Sequence, residues 1–293
     1  MLLQSPSFKS VVVNTNPSES LSKNRLSNLY SPHFLRSLEF IYGSEGMISS
    51  GGTELIDTML ANIELEGKKI LDVGCGLGGV DVYLAKKNDV EITGVDFEPY
   101  MILCAEKLLE RHRGYLKGKV FFQTLNNRIS LKEFSADTFD LVFCKQMFAH
   151  LSVLDRQAYL EEMHRVLKPG GRIVTEDWLA RSLDLTEFLK KALAIDSAKD
   201  DVHIDNGFCY LITPQKYQEL IKRAKFKDVI YTDISDKQIV YTQRDIERIK
   251  SAKEKFSSEL GSDAYDFRVN AWSHFIRAME HDEILSGIFT AIK

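Results

Sequence analysis

Runs of about 20 apolar residues, the length a helix needs to cross a bilayer, occur nowhere in the 293-residue chain. The N-terminus also lacks a basic segment followed by an apolar stretch and a small-residue cleavage site, so the expected location is cytoplasmic and no membrane is an expected partner. Excess basic charge is missing too. Lys and Arg number 38 against 42 Asp and Glu, a formal charge of −4. Without a basic stripe to neutralise a phosphate backbone, nucleic acid is not an expected partner. Cysteine is sparse: Cys75, Cys104, Cys144 and Cys209 show neither CxxC nor mixed Cys/His spacing. That argues against a disulfide framework or a zinc site and fits buried, reduced thiols. The histidines at 33, 112, 164, 203, 274 and 281 have no ligand spacing either, so no metal is expected.

What remains is an ordinary globular composition, 44% hydrophobic and 27% charged, in a length that suits one α/β core with an appendage. Residues 1–27 are rich in Ser and Asn, without sustained periodicity, and read as a mobile leader. Phe34, Leu35, Leu38, Ile41 and Tyr42 fall at helical spacing, and after Ile48-Ser-Ser-Gly-Gly52 a second helix runs from Thr53 to Ile63. Apolar runs and helical stretches then alternate. Strands are predicted at Lys69–Val73, Glu91–Asp96, Lys119–Thr124, Phe139–Cys144 and Arg172–Asp177, with helices between them, including Val153–Leu167. Such βαβ alternation implies a parallel sheet covered on both faces, with ligands bound beyond the carboxyl ends of the strands. Further on, a helix is predicted around Leu185–Ala194, another from Thr213-Pro214 to Ala224, and a strand at Asp228–Thr232. A helical stretch from Ser235 to His281 precedes a final strand, Gly287–Ile292. The predicted fold is a Rossmann-like, doubly wound α/β protein with a mostly parallel seven-stranded sheet. Its divisions are 1–27, 28–63, a core at 64–234, a helical lid insertion at 235–281 and the last strand at 282–293.

The informative run is Leu71-Asp-Val-Gly74-Cys-Gly76-Leu-Gly78-Gly79, where a strand turns into a helix. Glycines there permit a tight turn and let backbone N–H groups approach a ligand, although such a turn also serves plain strand-to-helix packing. Asp72 precedes the glycines, and Asp96 ends the next strand 18 residues after Gly78, where a carboxylate can accept from ribose hydroxyls. Val166-Leu-Lys-Pro-Gly-Gly171 makes a turn directly before the strand Arg172–Asp177. Together these features resemble the class I methyltransferases that use S-adenosylmethionine and release S-adenosylhomocysteine, over about Lys68 to Asp177.

The resemblance implies that Gly74 and Gly76 lie beneath the cofactor, Asp72 near its ammonium, Asp96 on the ribose and Phe97 on the adenine. It also implies Asn127 or Asn126 beside the adenine amino group, where the family usually places an Asp, and the backbone of Lys145 near the methionine end. Tyr30, Glu39-Phe-Ile-Tyr-Gly43, Ile48-Ser-Ser-Gly-Gly52 and His150-Leu-Ser152 resemble, more closely, the phosphoethanolamine methyltransferases and their small-molecule relatives. That likeness implies N-terminal helices that close over the cofactor, a catalytic latch of Tyr30 and His150, and Ser49 near the cofactor carboxylate.

Departures from that family are informative. Its arginine–aspartate pair reads Lys145-Gln146 here, and in place of a cationic phosphate cage the matching stretches offer Trp178, Gly207, Phe208 and Cys209. A dianionic phosphate without cationic partners is costly to desolvate. An uncharged or amine-bearing apolar acceptor is therefore expected, with Gln146, Trp178 and Tyr210 as its contacts and cation–π attraction holding a methylated ammonium. The apolar stripe Trp272, Phe275, Ile276 and Met279 reads as core packing of the insertion rather than substrate contact. The expected reaction is in-line methyl transfer to a small molecule, N-methylation ahead of O- or C-methylation, with His150 as base. A cofactor-binding protein without catalysis and a dehydrogenase are the competing readings, and the expected assembly is a monomer or homodimer.

Overall fold

The computed structural model describes Leu35, Leu38 and residues 41–187, 190, 196–197, 202–204 and 209–293. The readings made for residues 1–27, Tyr30, Gly207 and Phe208, and for most of the helix at Leu185–Ala194, lie outside them.

Ten strands occur among the described residues: β1 (Lys69–Val73), β2 (Glu91–Asp96), β3 (Lys119–Thr124), β4 (Phe139–Lys145), β5 (Leu167–Ala180), β6 (Asp196–Ser197), β7 (Val202–Ile204), β8 (Cys209–Leu211), β9 (Lys227–Asp233) and β10 (Ile284–Ile292). The helices are α1 (Gly52–Leu60), α2 (Gly79–Lys87), α3 (Pro99–His112), α4 (Val153–Val166), α5 (Pro214–Arg223), α6 (Ser235–Ser251), α7 (Lys253–Leu260) and α8 (Ser262–Glu280). Seven strands form one sheet in the order β3-β2-β1-β4-β5-β10-β9. The first five run parallel, and β10 lies antiparallel to both β5 and β9. From β1 the chain winds outward through β2 and β3, then returns to place β4 on the other side of β1. That reversal opens a crevice above the carboxyl ends of β1 and β4.

Alternation along each strand divides the apolar core between two faces. Leu71, Val73, Val142, Cys144 and Ile173 point into a cluster with Tyr159 and Tyr217 from α4 and α5. Their neighbours Ile70, Ile92, Leu141, Phe143 and Val174 pack against Leu55 and Ile56 of α1, Val82 of α2 and Leu108 of α3. The covering helices start where their caps dictate. The Ser152 hydroxyl accepts from Asp155 N at 3.2 Å ahead of α4, and Thr213 accepts from Lys216 N at 3.2 Å ahead of α5, with Pro214 in its first turn.

One expectation is corrected, one is found in three pieces, and one element is new. The fifth strand extends from 167 to 180, well beyond 172–177, because β10 pairs with it continuously from Ile284↔Ala180 to Ile292↔Arg172. The helical stretch at 235–281 is broken at Ala252 and at Gly261, where φ is 93°, into α6, α7 and α8. A small sheet, β6-β7-β8, was not foreseen, since strands of two or three residues are too short to show alternation. No described helix is long and apolar enough to cross a membrane.

Phe289 of β10 stacks on Tyr217 at a ring-centroid distance of 4.2 Å and meets Tyr231 at 5.0 Å. Fully buried in this position, it ties α5 to the sheet and packs against the edge strand β9. Phe289→Ala is expected to cost about 3–5 kcal/mol, read as a shift of the denaturant midpoint at unchanged slope. A loss below about 1 kcal/mol would contradict this packing.

Candidate cofactor and acceptor site

The turn after β1 is built from left-handed glycines: φ is 78° at Gly74, 55° at Gly76 and 76° at Gly78. The N–H groups of Gly74 and Cys75 both donate to the Val95 carbonyl, at 2.8 and 3.0 Å, which pins the turn to the neighbouring strand. A side chain cannot replace hydrogen at the positions where the chain ahead of α1 rides over it. A Cβ on Gly76 would lie 2.5 Å from Ile48 Cδ1, and one on Gly79 would lie 2.5 Å from the Gly46 carbonyl carbon. Gly79 N donates to Gly46 O at 3.2 Å. The glycines therefore serve a close approach of backbone to backbone as well as a turn.

Carboxylates surround this turn. Asp96, at the end of β2, accepts from Gly76 N at 3.1 Å through Oδ2 and from Glu98 N at 3.0 Å through Oδ1. Burial pushes its carboxyl up to about 6, against those two backbone donors. Asp72 on β1 is buried, and its carboxyl is held well above the usual range, first by desolvation and then by the neighbouring Asp81 carboxyl in the first turn of α2. Lys145, the last residue of β4, donates to Ser49 Oγ and, at 2.7 Å, to Ser50 O. Burial lowers its ammonium to about 8, while the carboxylates of Glu176, Asp245 and Asp72 oppose that shift.

Beyond β4 the chain turns sharply. Gln146 adopts φ 52°, unusual for a side chain of this kind, and its N–H donates to Glu176 O at 2.7 Å. The following 3₁₀ turn, Phe148–His150, is held from below: Ala149 N donates to Asp177 Oδ2 at 2.9 Å. Arg156 is fully buried, with Nε donating to Leu151 O at 2.9 Å and Nη2 to Tyr210 O. Arg128 donates to the His150 carbonyl, and its guanidinium lies 5.5 Å from the Phe97 ring centre. Burial raises the Asp177 carboxyl to about 7, opposed by the Arg156 charge.

These elements enclose a cavity of about 530 Å³, within the range of small-molecule sites. Ser49, Asp72, Gly74, Asp96 and Phe97 line it, as do Lys145, Gln146, His150 and Trp178. Gly76, expected beneath the cofactor, does not line it: it lies under Ile48 with its N–H committed to Asp96. Two further expected residues do not line the cavity either. The Asn127 amide oxygen accepts from Ile129 N at 3.0 Å in an exposed turn, and Asn126 is bound to Glu133 at 3.1 Å, so Leu125 takes the place beside the cavity. Tyr210 presents its carbonyl to Arg156, and its neighbour Cys209 lines the cavity instead.

Several lining residues escaped the sequence reading. The stripe on α8 divides in two: Ile276 and Met279 are buried in the core, whereas Trp272 and Phe275 line the cavity. Trp178 and Phe275 meet edge to face at 5.3 Å. Arg268 and His274 of α8, together with Arg128, bring cationic or protonatable groups to the same space. The helical spacing around Trp272 was the available signal, but which of its faces meets the crevice depends on chain folded from far away.

A family described as "Methyltransferase domain" matches residues 70–171. Phosphoethanolamine N-methyltransferase 1 of Arabidopsis thaliana is 31% identical over 260 residues, covering 87% of this chain and 48% of that protein. The chain thus spans about half the length of the plant relatives it matches. Phosphoethanolamine N-methyltransferase of Plasmodium falciparum is 28% identical over 284 residues, covering 97% of this chain and 99% of that protein. Among solved structures, a complex of Haemonchus contortus phosphoethanolamine N-methyltransferase 2 with phosphomonomethylethanolamine and S-adenosylhomocysteine superposes with a TM-score of 0.78. It is 22% identical, and the match covers 92% of this chain and 59% of that one, a likeness of fold.

Because the Asp96 carboxyl is raised in the native state, its ionised form opposes folding above about pH 6, and that cost fades as the pH falls toward the unfolded value near 4. In Asp96→Asn this pH dependence is expected to disappear, so that the melting temperature of the ligand-free variant, measured against the unaltered chain, shifts in the variant's favour between pH 5 and pH 8. The same variant should bind S-adenosylhomocysteine at least tenfold more weakly. A difference between variant and unaltered chain that stays the same from pH 5 to pH 8, or unchanged affinity, would contradict this assignment.

Proposed function

We propose, from the premise that the chain carries a class I S-adenosylmethionine-dependent methyltransferase domain, that it methylates the nitrogen of a small amine. The observation that carries this reading is one cavity holding the glycine turn and the Asp72 and Asp96 carboxylates together with the His150 turn and aromatic walls. The donor set fits the cofactor. A buried carboxylate at the end of β2 suits a pair of ribose hydroxyls, and Asp72 suits an ammonium, which would also favour its ionised form. Phe97, Met101 and Leu125 offer an apolar slot for the adenine, and Ser49 with Lys145 stands at the methionine end. When bound, the cofactor supplies an electrophilic sulfonium methyl.

His150 is assigned as the base that takes the proton from the amine as its lone pair is committed to the methyl carbon. Asp177 holds the histidine turn through Ala149 N, and Arg128 holds the His150 carbonyl, so the ring is carried on a fixed piece of backbone. Trp178, Trp272 and Phe275 wall the acceptor end, excluding water and resting against the developing methylammonium. Arg268 and His274 line the same cavity. They favour an amine whose far end is anionic, such as phosphoethanolamine, over the uncharged acceptor expected from the sequence. The similarity to phosphoethanolamine N-methyltransferases supports the same choice.

Incubation with S-adenosylmethionine and a panel of acceptors tests the proposal: phosphoethanolamine, its mono- and dimethyl forms, uncharged amines of similar size, and phenols. Mass spectrometry should find methylated amines, with the phosphate esters turned over faster than the uncharged amines. Products only on oxygen, or none at all, would refute the N-methylation reading. His150→Ala is expected to lower kcat by about 10²–10⁴ while S-adenosylhomocysteine affinity stays within about twofold. Unchanged turnover would remove His150 from the mechanism.

A further inference from the structure

The Ser49–Ser50 turn is gripped from two sides by parts of the chain that are far apart in sequence. From the sheet, Lys145 Nζ donates to Ser49 Oγ and to Ser50 O. From the helical insertion, Asp245 of α6 accepts the buried Ser50 hydroxyl on Oδ2 at 2.6 Å. Its other oxygen accepts from Arg248 Nη1 at 2.9 Å, and Arg248 also donates to the Ile41 carbonyl at 2.5 Å. One carboxylate thus joins α6 to the segment that crosses the glycine turn, and Ser49 and Lys145 line the cavity beneath it.

We propose that Asp245 is a positioning residue for the methyl donor: through Ser50 it sets where the Ser49 hydroxyl and the Lys145 ammonium stand in the donor pocket. The inference rests on the donor reading given above. A hydrogen bond from a buried hydroxyl to a carboxylate is stronger than one between neutral groups, and its loss leaves a buried O–H without that acceptor. Asp245 is also one of three carboxylates whose charge supports the ammonium of Lys145 in its buried position. Removing it loosens the turn and withdraws part of the field that keeps Lys145 charged. Both changes act on the donor end of the cavity. Because the same insertion supplies Trp272 and Phe275, the acceptor walls and the donor-covering turn are tied to one helical unit.

Titration calorimetry with S-adenosylhomocysteine on the full chain tests the proposal. Asp245→Ala should weaken binding about tenfold, Ser50→Ala by less because it leaves the carboxylate beside Lys145, and the double variant should be no worse than Asp245→Ala alone, since the Ser50 contact is already gone there. Asp245→Asn, which keeps an oxygen for the Ser50 hydroxyl but not the charge beside Lys145, should recover part of the affinity that Asp245→Ala loses. Arg244→Ala breaks an exposed ion pair between the same helix and Glu54, at 2.9 Å, and should leave affinity unchanged. Equal affinity in folded Asp245→Ala, additive losses in the double variant, or an equal loss in Arg244→Ala would overturn the inference while the donor reading stands. Absence of binding by the unaltered chain would overturn both.

Discussion

Ionised carboxylates at the carboxyl ends of two adjacent parallel strands are costly to bury, and the rest of the site is arranged around that cost. Asp72 and Asp96 stand at the ends of β1 and β2, where the sheet order reverses and a crevice opens. Burial raises both carboxyls, and the backbone N–H groups around Asp96 offset that cost only in part. A ligand that brings hydroxyls and an ammonium relieves that cost, so the instability of the free site is a source of affinity. The left-handed glycines are the geometric condition for this: side chains there would collide with Met147, Ile48 and Phe122 before any ligand arrived.

Around this centre, buried charge places the parts that must not drift. Asp177 fixes the His150 turn through a backbone N–H, with Arg156 close enough to share its field. Lys145 sits among Glu176, Asp245 and Asp72, and converts their negative charge into a hold on the Ser49–Ser50 turn. Glu176 is itself anchored, accepting from the Ser286 hydroxyl of β10 at 2.8 Å. The last strand and the insertion before it thus connect to the site as well as to the core.

Features that depend on local sequence were legible before the structure. The five parallel strands, the glycine turn and the carboxylate closing β2 follow from spacing along successive βαβ units, and the histidine after β4 from the family resemblance. Features set by distant pairing were not. Asn127 satisfies its own turn rather than the cavity, and Tyr210 is turned so that its carbonyl serves Arg156, 54 residues away. Arg268 and His274 reach the cavity because three helices fold back between β9 and β10, and no local pattern encodes that return. The stripe on α8 served both readings at once, its two faces divided between core and cavity.

The central claim is that the crevice between β1 and β4 is built for a sulfonium nucleoside, with the carboxylate ending β2 on the sugar. A crystal structure of the chain grown with saturating S-adenosylhomocysteine tests it most directly. The account predicts the ribose hydroxyls within hydrogen-bond distance of Asp96, the amino group facing Asp72 and the adenine against Phe97. The nucleoside seated elsewhere, or in this crevice with its ribose turned away from Asp96, would contradict it.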